Sequence, residues 1–233
     1  MGSRADAARA VTEQRVLVNG AVADKVSRLV DPGDALVLSG PPPRFVSRGG
    51  EKLDAALTAF EVEVTDRIAL DVGASTGGFT DCLLQRGARH VTALDVGHGQ
   101  LHPKVRNDPR VTVIERVNVR SVTSAMLAER PTVTVTDVSF ISLTKVIPVL
   151  AQLTAPCGDL VLLVKPQFEA GRQEVAKGKG VITDPLIHDR VRGEVAEALL
   201  LADCAVRAWA DSPITGADGN REFLVHATVG TSS

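Results

Sequence analysis

With 233 residues, 44% of them hydrophobic, the chain can bury one full core and carry a small appendage, but not two full-sized domains. A net charge of -2 excludes the basic excess of a protein that holds nucleic acid by bulk charge, and 3% aromatics with no Tyr exclude an aromatic base-stacking sheet. No apolar run approaches the roughly 20 residues of a spanning helix, and Cys82, Cys157 and Cys204 are spaced for neither a disulfide framework nor a zinc cage, so a cytoplasmic chain with no membrane contact and no metal is expected.

The appendage comes first. Ala5 to Glu13 is Ala-rich and reads as a helix; RVLVNGAVA reads as strand, Asn19-Gly20 turn and strand; DALVLSG adds a strand after the Asp31-Pro32-Gly33 turn. Gly40 and Pro41 to Pro43 support neither helix interior nor central strand. The boundary is therefore placed after residue 40, with 41–52 as a linker and 53–233 as the main domain. Residues 1–52 carry eight Lys or Arg against six acids, the remainder 18 against 22, so a mildly basic piece precedes an acidic body.

Seven apolar runs follow: IALDVG, HVTALDVG, VTVIERV, TVTVTDVSF, DLVLLVKP, AVRAWADSP and REFLVHATV. Helical stretches separate most of them, the longest from about Leu186 to Ala202. Strands this evenly apolar are buried on both faces, which predicts an α/β, Rossmann-like fold with a seven-stranded, mostly parallel sheet. The short Gly-containing loop Thr215 to Asn220 makes the last two strands antiparallel.

The segment LDVGASTGGFTDCLL places a strand, then Gly73, then a small-residue turn through Ala74 and Ser75 with Gly77 and Gly78, then an amphipathic helix. Its spacing matches neither GxGxxG nor GxxxxGK[ST], which disfavours a pyrophosphate cradle. Asp71 at the loop's mouth would repel phosphate and suit a cation. Asp95 ends the next strand, about 20 residues beyond the Gly-rich turn, where an acid accepts both hydroxyls of an adenosine ribose. Asn118, past the third strand, offers an amide to the adenine edge. In this order the residues point to S-adenosylmethionine. Phe79 is counted with the cofactor loop, although its ring, like that of Phe140, is expected in the core.

The chain resembles the TlyA family of rRNA 2′-O-methyltransferases, once labelled hemolysins. The resemblance is carried by SRGGEKL at 47–53, LDVGASTGGFT at 70–80, ALDVGHGQL at 93–101, RNDPRV at 106–111, TDVSFISL at 136–143, LVKPQFE at 163–169 and SPITGADGNREF ending at Phe223. It implies an FtsJ-like methyltransferase domain preceded by an S4-type RNA-binding domain over residues 1–40, here starting after the family's usual first helix. It also implies a ribose 2′-hydroxyl of cytidine in 16S or 23S rRNA as acceptor, within ribosomal subunits, and Arg4, Arg15, Arg44 and Arg48 are the candidate RNA contacts.

Relatives of the FtsJ group use a Lys-Asp-Lys-Glu set, which the resemblance carries to Lys52, Asp137, Lys165 and Glu222. Asp137 and Lys165 terminate strands at the carboxyl edge, where open α/β sheets bind ligands. In-line attack by a poorly acidic hydroxyl needs alignment and a proton acceptor. A lysine is protonated at neutral pH; burial and Lys52 would favour its neutral form while Asp137 and Glu222 would oppose it, and the sequence leaves that balance open. The expectation gives Lys165 the proton, lets Asp137 fix the lysine and face the sulfonium, and has Lys52 and Glu222 position the ribose. Taken alone, Lys52 and Glu222 read as solvated surface charges. His98 and His102 have helical spacing but no further ligands, so no metal is assigned to them. Phe168, Glu169 and the 171–180 stretch read as a loop over the cleft, with Lys177 and Lys179 available to phosphates. A noncatalytic RNA-binding assembly factor, a membrane-active hemolysin and a base or small-molecule methyltransferase remain open alternatives.

Overall fold

The computed structural model describes residues 4–12, 14–216 and 218–231 and divides into two units between Arg44 and Phe45. The first unit holds α1 (Arg4–Thr12), β1 (Val16–Val18), β2 (Ala21–Val22) and β3 (Leu36–Leu38), with β1 central in an antiparallel three-stranded sheet. Asn19 and Gly20 both take positive φ (51° and 84°), the turn geometry that matches strand twist in a two-residue hairpin. Asn19 also fastens the second crossing, donating to Asp34 Oδ1 (2.6 Å) and accepting from the Ala35 amide (2.9 Å). The Arg15 guanidinium donates to the carbonyls of Ser39 (3.2 Å) and Pro41 (2.6 Å), so it ties strand ends together. The Arg4 side chain lies outside the described residues.

The second unit runs α2 (Gly49–Ala59), β4 (Ile68–Val72), α3 (Gly78–Gln85), β5 (His90–Asp95), α4 (Pro103–Arg106), β6 (Val111–Glu115) and β7 (Val133–Thr136). It continues with α5 (Ile147–Leu153), β8 (Asp159–Val164), α6 (Pro166–Glu169), α7 (Arg172–Lys177), α8 (Pro185–Leu201), β9 (Cys204–Asp211) and β10 (Phe223–Val229). Part of the expected 41–52 linker thus belongs to this unit. Phe45 is buried in its core and α2 begins at Gly49, because the apolar face of that helix, Leu53, Ala56 and Leu57, has the sheet to pack on.

Sheet order is β6-β5-β4-β7-β8-β10-β9, parallel from β6 to β8, with β10 antiparallel to both neighbours. Side chains of a strand alternate between faces, and β8 shows the result: Val161 and Leu163 join the core under α2 and α3, while Leu160, Leu162 and Val164 join the core under α5 and α8. Both faces of the central strands are therefore dry, as the evenly apolar runs require. The strand order reverses between β4 and β7, which opens a crevice at their carboxyl ends. Among the described residues no helix is long and apolar enough to cross a membrane.

Candidate active site

A cleft of about 1260 Å³ occupies that crevice, with Gly73, Asp95, Asn118, Asp137, Phe140 and Phe168 among its walls. Gly73 follows β4 with φ of 84°, and a Cβ there would stand 2.5 Å from the Asp137 carbonyl oxygen, so only glycine lets the loops after β4 and β7 meet. Asp95 joins the next pair of loops, accepting from the amides of Ser75 (2.8 Å) and Gly97 (2.6 Å). Two bonds leave a carboxylate lone pairs for a ligand hydroxyl. Asn118 uses its carbonyl oxygen to cap the turn at Arg120 (3.0 Å), so what it offers a ligand is the amide NH₂.

Asp71, expected at the loop's mouth, is not among the residues that line the cleft and lies buried on β4. It is wholly buried, its Oδ2 accepts from Thr80 Oγ1 at 2.6 Å, and its Oδ1 is buried with no hydrogen-bond partner. Burial, reinforced by the nearby Asp137 and Asp95, raises its carboxyl to about 7 despite the Thr80 bond. A buried carboxyl beside two further acids favours positive charge in its surroundings. The phosphate-free cradle and its acids fit a cationic adenosyl cofactor.

Several expected cofactor contacts do not line the cleft. Phe79 is buried in the core beneath α2, because as a residue of the first turn of α3 it faces the sheet. Gly77 and Gly78 serve packing: a Cβ would lie 2.8 Å from Leu101 at the first and 2.2 Å from Ser47 Oγ at the second. Ala74 is buried as well. Phe140 is corrected in the opposite sense. Expected in the core, it is 92% exposed, with φ of 63°, and lies 5.2 Å from the Phe168 ring at the cleft mouth.

The four charged residues form two ion pairs. Lys52 on α2 and Glu222 before β10 pair at 2.5 Å with side chains 10% and 2% exposed, so neither is a solvated surface charge. Lys165, buried at the end of β8, pairs with Asp137 at the end of β7 and donates to Ser139 Oγ at 3.0 Å. The antiparallel register pairs Phe223 with Val164, so one step further Glu222 comes beside Lys165. All four candidates thus stand along one edge. Ser139 is a site residue that sequence reasoning passed over, since a lone Ser two positions after an acid carries no signal of its own.

His98 and His102 do not converge: His98 pairs with Glu115 (2.7 Å) and His102 caps α4 through Lys104 N (3.1 Å). Arg44 and Arg48 are exposed, and Lys179 lines the cleft with Arg120 and Lys145.

Comparison with known proteins gives the family. The FtsJ-like methyltransferase family matches residues 45–229 and the S4 domain matches residues 1–36. The Mycobacterium tuberculosis 16S/23S rRNA (cytidine-2′-O)-methyltransferase TlyA is 44% identical over 96% of this chain and 83% of its own. Hemolysin A of Brachyspira hyodysenteriae is 42% identical over 96% and 93%. A solved Streptococcus thermophilus protein that carries a hemolysin name superposes with a TM-score of 0.83 at 42% identity, over 100% of this chain and 85% of that one. The chain belongs to the FtsJ-like methyltransferases and, among them, to the TlyA family.

Proposed function

We propose that this chain methylates a ribose 2′-hydroxyl of ribosomal RNA, using S-adenosylmethionine, with cytidine in 16S or 23S rRNA as the target. One observation carries the reading: two ion pairs that share no sequence neighbourhood, Lys52–Glu222 and Lys165–Asp137, are drawn toward the carboxyl end of β8 by the β8–β10 register, with Asp137 lining the cleft. A base methyltransferase has no evident need for two lysines there, whereas a 2′-hydroxyl needs an aligned nitrogen.

When bound, the cofactor supplies an electrophilic methyl on a cationic sulfur. Asp95 and Asp137 line the cleft with carboxylates, Asp71 lies buried beside them, and Asn118 offers its amide to the ligand. Lys165 Nζ, held from two sides by Asp137 and Ser139, faces the attacking hydroxyl; to take the hydroxyl proton as the O–C bond forms and the S–C bond breaks, it must first give up a proton of its own. Lys52 and Glu222 fix the ribose against this nitrogen. Phe140, exposed at the mouth, offers a ring face on which the target base stacks. The S4 unit supplies the sequence-remote RNA contacts, and ribosomal subunits are the substrate particles.

Purified protein and its Lys165→Ala variant, incubated with radiolabelled cofactor and separated ribosomal subunits or naked rRNA, test the reading. Label on a 2′-oxygen that the variant loses by at least about 10²-fold while still binding cofactor is expected. Label on a base nitrogen or carbon, or an unimpaired variant, would overturn it.

A further inference from the structure

The two segments that carry the target side of the cleft are held together by three rungs. The first is the Asp137–Lys165 pair with the Lys165–Ser139 bond, and the second is the Phe140–Phe168 ring contact. The third involves no residue of the chemistry. Glu169, closing α6, accepts from Ser142 Oγ at 2.6 Å and from the Leu143 amide at 2.8 Å.

A carboxylate is a costly choice for this place. Burial raises the Glu169 carboxyl above the usual range, Glu194 of α8 adds to the rise, and the Leu143 and Ser142 bonds only partly oppose it. A half-buried acid that bridges two loops is expensive if its only task is to satisfy one hydroxyl and one amide.

Phe140 shows what the clasp has to do. Its φ of 63° lies in the left-handed region, which a bulky residue keeps only where its surroundings impose it. Because its ring is 92% exposed, its own burial imposes nothing. The constraint comes from anchors on either side, Asp137 three residues before and Ser142 with Leu143 just after.

We propose that Glu169 is a positioning residue for methyl transfer, fastening the 137–145 segment to α6 so that Phe140 and the Asp137–Lys165 pair keep their arrangement. The proposal rests on the reading of the cleft as a methyl-transfer site. Glu169 touches neither substrate nor cofactor; it acts through the residues it holds.

Glu169→Ala and Glu169→Gln in the full chain separate this from a merely structural role. Amide exchange over residues 138–146 is expected to quicken in Glu169→Ala while α8 and β5 keep their protection. Its single-turnover methylation should fall by about 10²-fold, the cost of a small misplacement of reacting groups, with cofactor affinity retained. Glu169→Gln keeps an acceptor for the Leu143 amide and a partner for Ser142, and should restore most of the rate. Unchanged exchange over 138–146, or near-normal turnover in Glu169→Ala, would overturn the proposal, as would equal losses in both variants that track only a lowered Tm. If the wild type methylates no rRNA, the reading of the site fails, and the exchange measurement still decides whether Glu169 fastens the loop.

Discussion

Lys52 Nζ and Glu222 Oε2 lie 2.5 Å apart although 170 positions separate them in the chain. The contact joins α2 to the segment entering β10, and Gly216 shapes the wall behind it, since a Cβ there would come within 2.7 Å of Glu222 Oε1. Removing one member leaves the other charge buried and uncompensated, which costs about 3–5 kcal/mol. Lys52→Ala and Glu222→Ala should therefore each lower the denaturant midpoint clearly. A Lys52→Met/Glu222→Met double variant should recover most of that stability and none of the methylation. Denaturation curves beside activity measurements check this; a double variant as unstable as the sum of the singles would show that the pair is not the source.

Much of this arrangement was legible in the sequence, and the exceptions have physical causes. The strands were readable because burial on both faces leaves unbroken apolar runs such as LVLLV, and Asp137 and Lys165 were readable because each interrupts such a run at its carboxyl end. The burial of Lys52 and Glu222 was not, because each becomes dry only when distant segments close over it. Phe140 was misplaced in the core, and Phe79 carried both a core and a cofactor reading of which the structure keeps the core, because an aromatic side chain suits a core or a ligand equally well. Backbone geometry, the left-handed turn at Phe140 and the helical start at Phe79, decided between them.

Asp71 sets a pH dependence whose sign is fixed. Its carboxyl titrates at about 7 because it is buried beside Asp137 and Asp95. A cationic ligand favours the ionised form, so cofactor affinity should strengthen as pH rises through about 7, with proton release near neutrality. The folded state also holds this proton to higher pH than the unfolded chain. This group's contribution to stability therefore declines as pH rises from about 4 to about 7. Titration calorimetry in buffers of different ionisation enthalpy measures the proton count; Asp71→Asn should abolish the released proton and flatten the affinity profile. A pH-independent wild-type affinity would contradict the assignment.

At the other end of β8, Asp159 accepts from Arg67 (2.6 Å) and from His226 (2.7 Å). Burial works against its ionisation, yet the bonds from His226 and Arg67 outweigh it and hold the carboxyl below the usual range. Stability from this group is therefore present above the unfolded value near 3.8 and is lost as pH falls through the lower folded value. Asp159→Asn should cost about 1–3 kcal/mol near neutrality, with wild-type and variant curves converging in acid. Methylation should persist, since Asp159 opens the six-residue strand that Lys165 follows, a separation of about 20 Å. Acid unfolding monitored by circular dichroism checks both statements, and a constant difference between the two proteins across pH would refute the linkage.

Phe140 is the residue for which stability and function should separate most cleanly. Its ring is 92% exposed and contacts Phe168 at 5.2 Å, so truncation removes little buried surface. A base stacked on an exposed ring contributes about 1–3 kcal/mol. Phe140→Ala should therefore keep its Tm and its cofactor affinity while RNA affinity falls by that amount, and Phe140→Trp should retain binding. Fluorescence anisotropy with an RNA fragment that the wild type methylates supplies the measurement. Equal RNA affinity for wild type and Phe140→Ala would mean that the ring stacks on no base and that its strained backbone answers some other need.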